Sequence, residues 1–485
     1  MEENGKPKVL LPAPLSYLGR RLMVKLLERG DVRLRVLVAD RRTLGGFADA
    51  IPEIVEGDPL DEEVLRRAAE GIDVAFYPVR FIGADTEFLE RRKVFPAMFR
   101  DACIRAGVGK IIFITAYGRG AGRDGDPGGQ VNIGEALCAL PERIRTVWFQ
   151  AGLILGSGSL LFEALRNLAQ KMPVLPTPRW METKVAVIGV RDVLEYLIQA
   201  VRLPLAESVE VEIGLGSMSF REMLSSTARV MGLKRIFLPV PIDAPRLSPR
   251  LLMILTPFSA RLASIFIRLL ESVGRNMRGV SPERAKRLFP GIVPAPFDVA
   301  VSRAIAAMEH EQVISRWTDS LGRIPPTGTE KEISRSVFRD IREERFAGVA
   351  PEKIFRAVKS IGGKYGWFTF DLLWRVRGAM DKIVGGYGGS VGRRTETDLR
   401  VGDVLDVWKV IDLQENRRLL LEAQMKVEGK AWLEFRIEGD TLVQTAYHYP
   451  KGLLGRIYWY SMLPFHAFIF RDMVRGIVRK ARGMD

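Results

Sequence analysis

Cysteine and histidine are nearly absent: the 485 residues contain two of the first and three of the second. Cys103 and Cys138 cannot build a disulfide framework or a metal site. Both sit in helical, apolar contexts and read as buried thiols of a reducing compartment. His310, His448 and His466 share no metal-ligand spacing with a third partner, so no metal is expected. Long apolar runs are lacking too. No stretch reaches about 18 uncharged apolar residues, which argues against a bilayer-spanning helix. The first residues, MEENGKPK, are acidic and polar and lack the layout of a signal peptide. Together these absences predict a cytoplasmic protein.

What the chain has in excess is positive charge, a formal +15 with an isoelectric point near 9.8. The basic residues are scattered, mostly as arginines on helix faces that also carry acids. They read as a solvated basic surface, with no nucleic-acid motif and no nucleic-acid partner expected. A hydrophobic share of 47% beside 27% charged residues describes a globular chain. Its length predicts two or three domains.

Strand-like runs at 9–11, 34–39, 74–77, 110–115 and 143–148 alternate with helical patterns at 19–30, 60–71, 86–107 and 129–139. Helices between short apolar strands predict an α/β, doubly wound parallel sheet over residues 1–150. Residues 151–315 continue less regularly and are expected to form a substrate lobe. In that region 219–233 reads as a serine-capped helix, 235–241 as a strand and 245–273 as an apolar helix. Residues 316–331, rich in Pro, Gly and Thr, read as a linker. From 332 to 485 the pattern changes class. A strand at 333–341 and a helix at 351–363 precede antiparallel strands near 404–411, 417–427, 430–438 and 441–449. A long helix from 453 to 482 closes the chain. This order suggests a curved sheet gripping a helix.

The first strand and turn, KVLLPAPLSYLGRRL from Lys8 to Leu22, lie where a dinucleotide-binding chain places its glycine-rich phosphate loop. Counting back from Gly19, the expected G-x-x-G-x-x-G reads Ala13, Ser16, Gly19. Ala13 and Ser16 are small, so close backbone approach remains possible. The N–H groups of Ser16, Tyr17 and Leu18 remain to meet a diphosphate, whereas Pro14 removes one donor. Asp40, then Arg41 and Arg42, lie at the end of the second strand, where an acid suits a ribose hydroxyl and an arginine a 2′-phosphate.

These pieces carry a resemblance. The SYLG helix start, EGDPLDEEVLRRAAEGIDVAFYPV (56–79), AGVGKIIFITA (106–116) and GVRDVLEYL (189–197) resemble the atypical extended short-chain dehydrogenase/reductases, near the subgroup containing the accessory subunit of respiratory complex I. GGKYGWFTFDLLWRVRGAMDKIVGG (362–386), LRVGDVLDVWKV (399–410), AWLEFRIE (431–438) and KGLLGRIYWYSMLPFHAFIFRDMVRGI (451–477) resemble a bacterial domain of unknown function related to START-like helix-grip proteins. The resemblance implies a Rossmann domain followed by an α+β helix-grip domain. It implies NADP, with NAD as the alternative, with Arg41 toward a 2′-phosphate. It also places Asp58 and Pro59 at the adenine edge, and Tyr77, Pro78, Val79 and Thr115 on the nicotinamide side.

The Tyr-x-x-x-Lys pair with which classical members move a proton is missing from GQVNIGEALCAL (129–140). The match at Tyr447 and Lys451 lies in the wrong domain and is read as chance. No catalytic residue is assigned. Two functions stay open: an oxidoreductase acting on a hydrophobic quinone-, isoprenoid- or polyketide-like ligand, and a nucleotide-sensing or assembly protein without turnover.

A hydrophobic ligand is expected in the C-terminal domain. Candidate lining residues are Trp367, Phe368, Phe370, Trp374, Tyr458, Trp459, Tyr460, Phe465 and Phe468, which equally suit an ordinary core. The glycines between 385 and 392 suggest a lid over such a cavity. Ile457–Phe470 is apolar between Arg456 and Arg471, and Arg471, Arg475, Arg479 and Arg482 recur at near-helical spacing. Peripheral contact with an anionic membrane through this helix is one reading, and a solvated helix face over the core is the other.

Overall fold

The computed structural model describes residues 5–78, 86–117, 133–240, 260–276, 282–310, 313–317, 338–362, 398–424, 429–450 and 452–483. It also describes residues 249, 252, 255, 256, 258, 333, 336, 366, 367 and 393. The chain divides into two compact units, residues 1–251 with 264–321, and residues 252–263 with 322–485. Residues 252–263 form a short segment of their own in this division. That short segment, carrying the buried Leu252, Phe258, Leu262 and Ala263, clusters with the second unit.

In the first unit the strands are β1 (Lys8–Pro12), β2 (Arg33–Val38), β3 (Glu53–Glu56), β4 (Val74–Phe76), β5 (Lys110–Ala116), β6 (Arg145–Ala151), β7 (Leu153–Leu155), β8 (Val174–Pro178), β9 (Lys184–Gly189), β10 (Val209–Ile213), β11 (Leu215–Ser219) and β12 (Ile236–Val240). Its helices are α1 (Tyr17–Arg29), α2 (Glu62–Ala69), α3 (Thr86–Arg105), α4 (Ile133–Leu137), α5 (Leu160–Lys171), α6 (Val190–Arg202) and α7 (Phe220–Val230). Three further helices follow in the chain, α8 (Ala260–Asn276), α9 (Glu283–Leu288) and α10 (Phe297–Glu309).

Seven strands form one sheet in the order β10-β6-β5-β4-β1-β2-β3. All of its pairings are parallel. The order reverses beside β1, so the crevice between the carboxyl ends of β1 and β4 is the topological switch point. Alternation along the strands explains the two cores. Val9, Leu11, Leu34 and Val36 face one layer with Leu18, Leu22 and Leu26 of α1 and Val193 and Leu197 of α6. Leu10, Leu37, Ala75, Ile111 and Phe113 face the other, with Leu65 of α2 and Phe95 and Phe99 of α3.

β3 is absent from the sequence reading. It is four residues long at the sheet edge, and EIVE offers too few apolar positions to signal a strand. The serine-capped helix near 219 is present as α7. Ser219 Oγ accepts from the Glu222 N–H at 3.1 Å, and the Glu222 carboxylate accepts from the Ser219 N–H at 2.7 Å. The start of the expected linker is packed: Trp317 is buried and its N–H donates to the Gly158 carbonyl at 2.9 Å. A large apolar ring there outweighs the neighbouring turn residues; 318–331 lie outside the described residues.

The second unit contains β13 (Phe338–Arg345), α11 (Pro351–Lys359), β14 (Val404–Leu405), β15 (Trp408–Gln414), β16 (Arg418–Ala423), β17 (Gly429–Glu438), β18 (Thr441–Pro450) and α12 (Gly452–Arg482). Among the described residues six strands pair antiparallel in the order β13-β18-β17-β16-β15-β14. Leu419, Leu421, Leu433, Phe435, Leu442 and Ala446 turn one face toward Ile354 and Val358 of α11 and Met473, Val474, Ile477 and Val478 of α12. Ile411, Leu420 and Trp432 form a smaller cluster on the other face with Ile333.

Candidate nucleotide-binding site

The head of α1 sits at the switch point, and the local sequence fixes its shape. Ser16 caps the helix, its Oγ accepting the Gly19 N–H at 3.0 Å. The cap leaves Tyr17 and Leu18 as the first helical N–H groups without an intrahelical acceptor. No carboxylate stands in the first turn, so the positive end of the helix is uncompensated. The N–H of Ala13 donates to the Leu37 carbonyl at 2.9 Å, tying the turn to β2.

Ala13 adopts φ +47°, the left-handed region in which glycine is at ease and other residues are strained. The glycine is gone but the backbone it would favour is kept. Gly19 is required where it stands. A Cβ there would fall 2.8 Å from Ser16 Oγ and 3.2 Å from Pro14 Cα. Pro14 thus folds down onto the bare Cα of Gly19. The hollow itself is walled by Leu11, Pro12, Ala13, Ser16, Gly19 and Tyr77, among others, and holds about 20 Å³. That is room for roughly one water, so a diphosphate would lie across its mouth.

The second ligand-facing element is the turn after β2. Asp40 caps a 3-10 stretch, Arg41–Ala50. Its two carboxylate oxygens accept from the Arg42 backbone N–H at 2.9 Å, from Arg42 Nε at 3.1 Å and from Arg42 Nη2 at 2.7 Å. Burial alone would raise the Asp40 pKa, but the Arg42 hydrogen bonds and charge hold it below the usual carboxylate value. Arg41 is left with a 3.9 Å approach to Asp49, both side chains being more than half exposed. One arginine therefore occupies the acid, and the other leaves its guanidinium largely exposed near Asp49.

The remaining expected residues divide. Tyr17 contributes its backbone only. Its phenol runs inward, under the Arg21 guanidinium at 4.8 Å, to where a Cβ on Gly156 would lie 2.7 Å from its oxygen. Burial raises its pKa. The Leu18 side chain is likewise core. Asp58 is exposed and accepts the Leu60 N–H at 2.9 Å, forming the turn that carries Pro59 into α2. Tyr77 and Pro78 line the hollow, although the Tyr77 ring packs against Phe95 and Phe99, each at 5.5 Å. Val79 lies outside the described residues.

Thr115 Oγ1 accepts the Trp148 indole N–H at 2.8 Å. Gly134 of α4 presses on the same indole ring so closely that a Cβ there would sit 2.2 Å from it. Where the classical catalytic pair belongs, the described part of this chain has a glycine seated on tryptophan. Tyr117, two residues past Thr115, donates to the Ile213 carbonyl at 2.8 Å. Burial above all, then Glu212 and Tyr196, pushes its pKa upward. In the second unit Tyr447 donates to Glu434 at 2.8 Å, while Lys451 lies outside the described residues.

Two arginines of α1 escape the sequence reading. Arg20 is buried and donates to the Thr43 carbonyl at 3.1 Å, bracing the turn that carries Arg41. Arg21 is buried and donates to Ser157 and Ser315. The available signal is their position in the first turns of α1, directly after Gly19.

With this geometry in view, the comparisons with known proteins divide along the same lines. Residues 17–137 match the family model described as NAD(P)H-binding. The first unit thus carries an NAD(P)H-binding domain. Residues 333–473 match a family described as a protein of unknown function, DUF2867. No curated protein matches the chain. Similar solved structures include Citrobacter sp. triphenylmethane reductase, 16% identical over 62% of this chain and 99% of that one, TM-score 0.49. A nucleoside-diphosphate-sugar epimerase from Staphylococcus aureus is 14% identical over 61% and 99%, TM-score 0.47. A short-chain dehydrogenase/reductase superfamily protein from Agrobacterium tumefaciens, with bound NAD, is 16% identical over 63% and 98%, TM-score 0.45.

Among the described residues no group of His, Cys, Asp and Glu is arranged to hold a metal. No helix among them is long and apolar enough to cross a membrane.

Proposed function

We propose that the first unit binds NADP(H) at the head of α1 and serves as the reductant site of an oxidoreductase acting on an apolar acceptor. The observation that carries this reading is the turn from Ala13 to Gly19. It keeps the left-handed backbone of a phosphate loop, closes on a required glycine, and opens onto a helix start without a carboxylate. The N–H groups of Tyr17 and Leu18 meet the diphosphate, Arg41 meets the 2′-phosphate, and Pro78 and Thr115 border the nicotinamide. When bound, the cofactor supplies a hydride. Asp40 is held by Arg42 and is a poor acceptor for a ribose diol, which favours the phosphorylated form.

Proton transfer is assigned to solvent. Tyr117 is committed to the Ile213 carbonyl with a raised pKa, and the stretch 129–140 carries neither tyrosine nor lysine. An acceptor such as a quinone or a conjugated double bond suits a site without a protein acid. The ligand expected in the second unit is supported by Gln444. It is fully buried on the sheet face turned toward α12, and neither amide atom has a hydrogen-bond partner among the described residues. A polar group left so is costly unless something meets it.

A second reading, a nucleotide sensor without turnover, is favoured by the same lack of a catalytic tyrosine. Titrating the full chain with NADPH and with NADH, followed by cofactor fluorescence, tests the binding. An arginine–phosphate bond contributes about 1.5–3 kcal/mol, so NADPH is expected to bind roughly tenfold or more tighter. Arg41→Gln should erase that preference and spare NADH. No signal with either nucleotide at millimolar concentration would overturn both readings. Steady NADPH consumption with a quinone separates the first from the second.

A further inference from the structure

The last helix presents an outward face of two halves. Along its first half Ile457, Tyr460, Leu463 and Phe468 are 54%, 61%, 36% and 70% exposed. Along its second half Arg471, Arg475, Arg479 and Arg482 are exposed, joined by Arg456 at the other end. At 100° per residue both sets fall on one side of the helix. The opposite side is fixed to the sheet by Trp459, Phe470, Met473, Val474 and Ile477, so the helix cannot roll to hide either set. Arg475 reaches Glu344 at 3.5 Å, and Asp472 is the one acid within α12.

From this face we infer that α12 docks the protein on an anionic lipid bilayer surface. Each half spans about 16 Å at 1.5 Å per residue. Laid in the interfacial plane, the apolar half sinks toward the acyl boundary with the Tyr460 hydroxyl at headgroup level, and the arginine half meets a row of phosphates. A second copy of this chain fits poorly. Two such faces packed parallel set arginine against arginine, and packed antiparallel they bury arginine charges with Asp472 as the one acid of the helix to offset them. A neutral apolar partner leaves the arginine half unanswered. The formal charge of +15 adds long-range attraction to a negative surface. None of the described helices spans a bilayer, so contact is at the surface.

Flotation of the full chain with vesicles of phosphatidylcholine alone, and with phosphatidylglycerol added, tests the docking. Binding is expected to the anionic vesicles and not to the neutral ones. Tyr460→Ser with Phe468→Ser, both at exposed positions, should lower the partition roughly tenfold. Gln at 471, 475, 479 and 482 should lower it about fivefold per arginine and remove the dependence on phosphatidylglycerol. Circular dichroism and retained NADPH binding establish that the variants fold. Absence of binding to anionic vesicles at low salt overturns the inference. So does binding indifferent to both variant sets, or a dimer at sedimentation equilibrium that Tyr460→Ser with Phe468→Ser dissolves.

Discussion

Replacing Ala13 by glycine should stabilise the protein, the reverse of what Ala→Gly does in most places. Ala13 sits at φ +47°, where an L-residue with a Cβ is strained by about 1–2 kcal/mol. Glycine relieves that strain but gives the unfolded chain more freedom, a loss of about 0.4–1 kcal/mol. The balance is a net gain of about 0.5–1 kcal/mol. For a unit of this size that corresponds to a rise in Tm of about 1–4 °C. Scanning calorimetry of the full chain measures it on the transition belonging to the first unit. Ala306→Gly, exposed within α10, is the control and should instead lose about 1 kcal/mol. Ala13→Val should fall further than the control, because a β-branched side chain tolerates the left-handed region worst. NADPH affinity should hold or improve in Ala13→Gly, since the methyl group is removed from the wall of the hollow. A drop in Tm equal to that of Ala306→Gly would refute the claim that the phosphate-loop backbone persists under a changed sequence.

Gly19→Ala should abolish NADPH binding and lower stability by about 1–3 kcal/mol, read by denaturant titration. The added Cβ displaces Ser16 Oγ from its cap and collides with Pro14 backbone. The second unit should weaken in mild acid. His448 is fully buried and packs against both the Phe338 and Trp459 rings, with Nε2 3.2 Å from the Gly455 carbonyl. Burial holds its pKa below the ordinary 6.5. The unfolded chain therefore binds the proton more readily, so stability is full above about pH 6.5 and falls as pH drops below it. His448→Phe should flatten that fall in thermal scans between pH 7 and 5.

Much of the architecture was readable because periodicity survives. The strand–helix alternation up to β6, the capping box of Ser219 and Glu222, and the terminal strands and helix all follow from apolar spacing. The site was read only in outline. Ala13 in a glycine position reads as erosion, because a sequence does not display φ. Its conformation depends on the hydrogen bond to Leu37, a residue on another strand. Whether Asp40 is free or engaged depends on the Arg42 rotamer, which one-dimensional spacing does not encode. Tyr17 is read through its backbone N–H, and spacing gives no sign that its phenol lies beneath Arg21 and beside Gly156. The aromatic stretch in α12 is apolar all round, so spacing could not separate the buried Trp459 from the exposed Tyr460 and Phe468. Phe368, Phe370, Trp374 and the glycines at 385–392 lie outside the described residues, as do the side chains of Tyr458 and Phe465.

The central claim is that the head of α1 and the turn after β2 together hold the nucleotide. Amide hydrogen exchange with and without NADPH tests it most directly. Slower exchange confined to 12–20 and 39–44 is the predicted result, lost in Gly19→Ala. Unchanged exchange in both segments at saturating NADPH would contradict the account.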